Sequence, residues 1–142
     1  MGVKLITGGT IINANHIGEA DVLIEDEKIA AIISPQSDIA LSAHNGDAEV
    51  IDASGMYVIP GGVDAHVHLQ LPMTSEATSS DTFASGTAAA AWGGTTTVID
   101  FAGQIKGTAI PAAIESRLEE ASGQCAIDYG FHLSIGDVNE QS

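Results

Sequence analysis

Two histidines one residue apart, His66 and His68, are the side chains in this chain best spaced for chemistry. They close an apolar run, Tyr57-Val58-Ile59-Pro60-Gly61-Gly62-Val63-Asp64-Ala65-His66-Val67-His68-Leu69. In a strand, residues i and i+2 share a face. Both imidazoles therefore point the same way, at the downstream end of the strand. Two neutral imidazoles on one face can hold one divalent cation. A cation so held lowers the pKa of water toward 7 and makes hydroxide available at neutral pH. Asp64 lies on the same face one step deeper, where it either orients a histidine or serves as a buried structural carboxylate.

The elements that must carry this pair fall into two groups. Residues 1–56 read as an all-β unit. Strands are expected at Val3–Thr7 and Thr10–Ile12 about Gly8-Gly9, at Asp21–Glu25, at Lys28–Ile33 and at Glu49–Asp52. Residues 36–48 read as polar loop, with His16 and His44 on the surface.

From Tyr57 the pattern becomes strand, helix, strand, helix, strand. The first strand is expected over 57–68. A helix follows from Asp81 to Trp92, N-capped by Ser80 and stopped by Gly93-Gly94. A β-branched strand runs from Thr95 to Phe101. A second helix spans 111–122, opened by Pro111, with Ala113, Ile114, Leu118 and Ala121 inward and Glu115, Arg117, Glu119 and Glu120 mainly outward. A third strand runs from Ala126 to Ile135, and a polar tail from Gly136 to Ser142. Phe83 and Trp92 are expected to pack, Asp100 to bond the neighbouring loop, and His132 to sit in the core or between strands. Alternating strands and helices imply an α/β fold with parallel strands.

Composition narrows the function classes. The chain has 142 residues with 19 acidic and 4 basic side chains, a formal charge of -15. Phosphate binding needs clustered Lys and Arg, so nucleic acid and anionic membrane surfaces are excluded as partners. High acidity is also one device of salt-adapted proteins. Cys125 is the single cysteine, so no internal disulfide forms. It has no flanking cation to activate it and reads as a structural thiol. No targeting segment or membrane-length apolar run is evident, and a reducing cytoplasm fits. A closed eight-fold β/α barrel takes about 250 residues, so positions 57–142 have room for roughly three of its units.

The segment Pro60-Gly61-Gly62-Val63-Asp64-Ala65-His66-Val67-His68 resembles the first metal motif of the cyclic amidohydrolases. Thr78-Ser79-Ser80-Asp81-Thr82-Phe83 and Gly93-Gly94-Thr95-Thr96-Thr97-Val98-Ile99-Asp100-Phe101 resemble the hydantoinase and dihydropyrimidinase branch. The resemblance implies the N-terminal piece of such an enzyme. Residues 1–56 would be part of a small β-sandwich, and 57–142 the first three strands and two helices of a partial (β/α)8 TIM barrel.

It also implies a binuclear zinc site, with His66 and His68 as metal ligands and two Zn2+ ions in the complete enzyme. The remaining ligands, a carboxylated lysine, two histidines and an aspartate, have no match here. The implied reaction is reversible hydrolysis of a hydantoin or dihydropyrimidine, a small cyclic ureide, to an N-carbamoyl amino acid. Dihydroorotases and allantoinases commonly carry arginine where this chain has Gln70, which cannot grip an anionic substrate group. Leu69, Leu71 and Met73 instead resemble the apolar gate of a hydantoinase. The resemblance further implies a homotetramer for the complete enzyme. The isolated chain is expected to be inactive and prone to aggregate through its open strand edges. Two other readings stand beside this one: a non-catalytic relative of the dihydropyrimidinases that serves in assembly, and a small metal-binding α/β module.

Overall fold

At Pro60 the backbone loses an N–H donor, and two glycines follow. The chain divides there into two units, Met1–Pro60 and Gly61–Ser142. A computed structural model describes residues 2–35, 37–44, 46–73 and 76–138, with all their side chains except those of Leu41 and His44. The loop expectation at Gln36, Asn45, Thr74 and Ser75, the tail expectation at 139–142 and the surface placement of the His44 side chain lie outside what is described.

In the first unit, β1 (Val3–Thr7), β2 (Thr10–Ile12), β3 (Ile17–Glu19), β4 (Asp21–Glu25) and β5 (Lys28–Ile33) precede a short helix, α1 (Asp38–His44). Then come β6 (Glu49–Asp52) and β7 (Tyr57–Val58). The strands form two sheets, ordered β5-β4-β1-β6 and β3-β2-β7. Gly8, at φ +75°, turns the chain from one sheet into the other, a conformation that suits glycine. Close packing also requires Gly9, where a Cβ would stand 2.6 Å from the Val58 side chain. Ile11, Ala20 and Val22 are buried, with Ile6, Ile24 and Val58 packed against them. Buried Asp21 accepts bonds from the Thr7 hydroxyl at 2.9 Å and the Gly8 N–H at 3.3 Å, which secures the same turn. Residues 38–44 are helical where a loop was expected; the Ser37 hydroxyl accepts the Ala40 N–H at 3.2 Å and caps the start.

The second unit contains β8 (Gly62–Asp64), α2 (Phe83–Trp92), β9 (Thr95–Gly103), α3 (Ile110–Ala121) and β10 (Asp128–Ser134). Its three strands are parallel, in the order β10-β9-β8, with β9 in the middle. Val98 on β9, Phe83 on α2, Ala121 on α3 and Leu69 form its core, with Val67, Ala90, Ile127, Tyr129 and Phe131 packed around them. The protein is thus mixed α/β, as its alternating pattern implies. Among the described residues, no helix is long and apolar enough to cross a membrane.

Four expectations are corrected. The single strand over 57–68 is two: β7 pairs with β2, and β8 pairs with β9 in the other unit. Pro60 cannot donate to a ladder, and at Gly61 any Cβ would collide with the Thr96 side chain. Helix α2 starts at Phe83, because Thr82 and not Ser80 is its cap. The Thr82 hydroxyl accepts the Ser85 N–H at 3.1 Å, and the Ser85 hydroxyl accepts the Thr82 N–H at 3.0 Å, a reciprocal capping box. Trp92 is 93% exposed at the end of that helix, so it does not pack here. Arg117 is 7% exposed on α3, facing inward where an outward charge was expected, while Leu118 is exposed.

Candidate metal centre

Strand β8 ends at Asp64, and residues 65–68 run on beside β9, held by the Val67 N–H bond to the Ile99 carbonyl at 3.1 Å. His66 and His68 lie past the strand but keep its alternation. Their Nε2 atoms are 3.2 Å apart, with ring centroids at 5.0 Å and planes at 82°. Two nitrogens each about 2.0–2.1 Å from one tetrahedral ion stand about 3.3 Å apart. The separation matches that spacing, and it is equally the length of an N–H···N bond between the two rings. Both rings are exposed, so the cation has an entry path. Among the described residues, no group of three or more His, Cys, Asp or Glu side chains is arranged to hold a metal.

Phe101, near the end of β9, forms the wall behind both rings. Its centroid is 4.5 Å from His66 and 4.9 Å from His68, nearly stacked on the latter at 28°. His132 approaches the same phenyl ring at 5.0 Å, and its Nε2 lies 3.0 Å from the Ala65 carbonyl. A carbonyl only accepts, so Nε2 carries the proton. His132 is therefore neither core nor simply inter-strand. It ties β10 to the segment that presents the histidine pair.

Asp64 acts on the backbone. Its carboxylate accepts the His66 N–H at 3.2 Å, so it orients the main chain and not an imidazole. Of the three residues expected at a substrate gate, Leu69 is a core residue, 8% exposed and packed within the cluster of Phe83, Val98 and Ala121. Its side chain turns inward because it shares the face of Val67, opposite His66 and His68. Leu71 is half-buried and lines a cleft of about 360 Å3 with Phe101, Ile105 and Arg117. Met73 is 64% exposed. The Leu71 N–H donates to the Ser79 hydroxyl and the Ser79 N–H to the Leu71 carbonyl, which closes the base of this loop.

Two further groups complete the site: Asp100 bonds the neighbouring loop at the Leu69 N–H, as expected, but its pairing with Arg117 was not foreseen, and Cys125 is the structural thiol expected. Asp100, fully buried beneath Phe101, pairs with Arg117 from α3 at 2.7 Å. The only sequence signal for that pair is an Asp in an apolar strand and an Arg one helical turn from Ala113 and Ala121. Cys125 is half-buried. Burial, and to a lesser extent the charge of Asp100, pushes its thiol above the ordinary value, so at neutral pH it is protonated and poorly nucleophilic.

Comparison with known proteins places the chain in a family. Residues 57–139 match the amidohydrolase family. The chain is 47% identical over 140 residues to a D-hydantoinase of Streptomyces coelicolor, covering 97% of this chain and 29% of that protein. It is 49% identical over 137 residues to a D-hydantoinase of Geobacillus stearothermophilus, covering 96% and 27%. The crystal structure of a dihydropyrimidinase from Brevibacillus agri superposes with a TM-score of 0.86 at 45% identity, over 97% of this chain and 28% of that one. The chain thus spans less than a third of the length of these relatives. With the family matched over more than half its length and the paired histidines inside the match, this chain belongs to the amidohydrolase family.

Proposed function

We propose that this chain supplies the first two metal ligands, His66 and His68, of a zinc-dependent cyclic amidohydrolase that opens the ring amide of hydantoins or dihydropyrimidines to N-carbamoyl amino acids. The observation that carries the reading is the 3.2 Å separation of the two Nε2 atoms at the open end of β8. Further support comes from the three parallel strands β8, β9 and β10, taken as the opening of a (β/α)8 barrel whose catalytic groups gather at its C-terminal mouth. Residues 1–56 are taken as part of the accompanying β-sandwich.

A divalent cation at this site would supply Lewis acidity toward the ring carbonyl and acidify water. The chain's own residues hold and aim. His66 and His68 each present Nε2, Asp64 holds the His66 backbone, Phe101 blocks the rings from turning inward, and His132 secures Ala65. The wall of Phe101 and the half-buried Leu71 favour a neutral ring with an apolar substituent. Met73 is exposed on the same loop and can reach such a substituent. Gln70 offers no cation to an anionic one.

With two ligands, the isolated chain turns over no substrate; the complete site takes two Zn2+ ions and works in a homotetramer. The test is a chimera in which this chain replaces the matching segment of the Geobacillus stearothermophilus relative. Ring opening of hydantoin and dihydrouracil is expected in the chimera and lost in its His66→Ala form. A chimera that folds and binds Zn2+ but opens neither ring would overturn the reading. So would ring opening by the isolated chain that His66→Ala abolishes, since the pair would then suffice.

A further inference from the structure

We propose that the buried Arg117–Asp100 ion pair is a positioning device for His68, acting through the backbone of Leu69. The proposal rests on the reading of His66 and His68 as metal ligands. Arg117 Nη2 donates both to Asp100 Oδ2 at 2.7 Å and to the Leu69 carbonyl. The Leu69 N–H in turn donates to the same Asp100 Oδ2 at 3.2 Å. Both polar groups of the Leu69 backbone are thus bound to one ion pair, and both of its side chains are nearly or fully buried, at 8% and 0% exposed. Leu69 N belongs to the peptide unit that carries the His68 carbonyl, so this bond sets ψ of His68. One residue further upstream, the unit that joins His66 to Val67 is set by the Val67 N–H bond to Ile99. The peptide unit after His68 is thus bound by the ion pair, and the segment leading to it is tied to β9 at Val67.

The remaining contacts serve the same end. Asp100 Oδ1 accepts the Phe101 N–H at 2.6 Å, fixing the residue whose ring stacks on His68. Arg117 Nη1 donates to Glu120, and the guanidinium carbon lies 4.5 Å over the Phe83 ring. The fork is thereby anchored to its own helix and to the core. A buried ion pair is weak evidence of stabilisation, because a hydrocarbon pair of similar size often does as well. What hydrocarbon cannot do is bind a peptide N–H and its carbonyl together. A turn just past a strand end has no ladder partner, so Leu69 needs such a clamp.

The test uses the whole chain, NMR of its histidine rings and Leu69 amide, and Zn2+ alone as probe. In the wild-type chain the Leu69 amide is protected from exchange, and His68 ring protons carry a ring-current shift from Phe101. Arg117→Met should abolish that protection, shrink the His68 shift more than the His66 shift, and weaken Zn2+ binding roughly tenfold or more. Arg117→Lys, able to make one of the two bonds, should fall between. Should Arg117→Met fail to fold, the double variant Arg117→Met/Asp100→Leu removes the clamp without leaving an unpaired buried charge. An unprotected Leu69 amide in the wild-type chain overturns the proposal. So do unchanged His68 shifts and Zn2+ affinity in a folded variant. Loss of the clamp signals in a chain that never binds Zn2+ would sink the metal reading and leave the clamp standing.

Discussion

Phe101 lies beneath His68 at 4.9 Å between ring centroids and 28° between planes. The residue one position before it, Asp100, points the opposite way and is fully buried. Alternation along β9 thus gives one face to the imidazole pair and the other to the Arg117 fork. The central strand of the sheet organises the site from both sides.

Removing the wall should loosen both rings without emptying the core. Phe101→Ala is expected to lower Zn2+ affinity roughly tenfold, the lower end for groups that orient a ligand. Zinc titration followed by calorimetry checks it, with a circular dichroism melt as control. Unchanged affinity would show that the backbone alone fixes the imidazoles.

Two aromatic residues of α2 should behave in opposite ways. Phe83 is fully buried and meets the Phe131 ring edge-on at 6.4 Å, so Phe83→Ala should cost about 3–5 kcal/mol. Trp92 is 93% exposed, so Trp92→Ala should change stability by less than about 0.5 kcal/mol. Urea unfolding of both variants makes the comparison. A large loss at Trp92 would mean that its ring is covered in solution.

The Cys125 thiol has its pKa raised from an ordinary 9.0, so the folded state favours the protonated form. Its contribution to stability is present below the unfolded pKa and fades as pH rises through the folded one. Iodoacetamide should alkylate Cys125 more slowly in the native chain than in urea at alkaline pH. Cys125→Ala should remove part of the alkaline loss of stability. Equal alkylation rates in the two states would contradict the burial that raises the pKa.

A formal charge of -15 on 142 residues implies self-repulsion that salt relieves. The melting temperature should rise by several degrees between about 0.05 M and about 1 M NaCl. A flat response would mean that the acidic side chains are too dispersed to strain the fold.

Local patterning reached far into this molecule. The order of strands β4, β5, β6, β9 and β10 follows from β-branched runs between turn residues. Helices α2 and α3 follow from the alanine run and from Pro111. Their ends were less legible: Ser80 and Thr82 are both good cap residues, and only the reciprocal bonds with Ser85 decide between them. The break after Val58 was marked by Pro60 and Gly61, but apolar residues on both sides made the run read as one strand. Short helix α1 was hidden by its polar surroundings.

By itself the sequence determined the pairing of His66 with His68, since a period of two places both rings on one face whatever surrounds them. It also determined the acidic surface and the α/β alternation. Tertiary structure alone decided that Arg117 turns inward, that Leu69 is clamped, and that His132 reaches Ala65. Those contacts join residues 17, 48 and 67 positions apart. Helical spacing says which residues share a face, but burying a charge depends on whether a partner waits inside. Here the partner is Asp100, and only the packing of α3 against β9 brings it within reach.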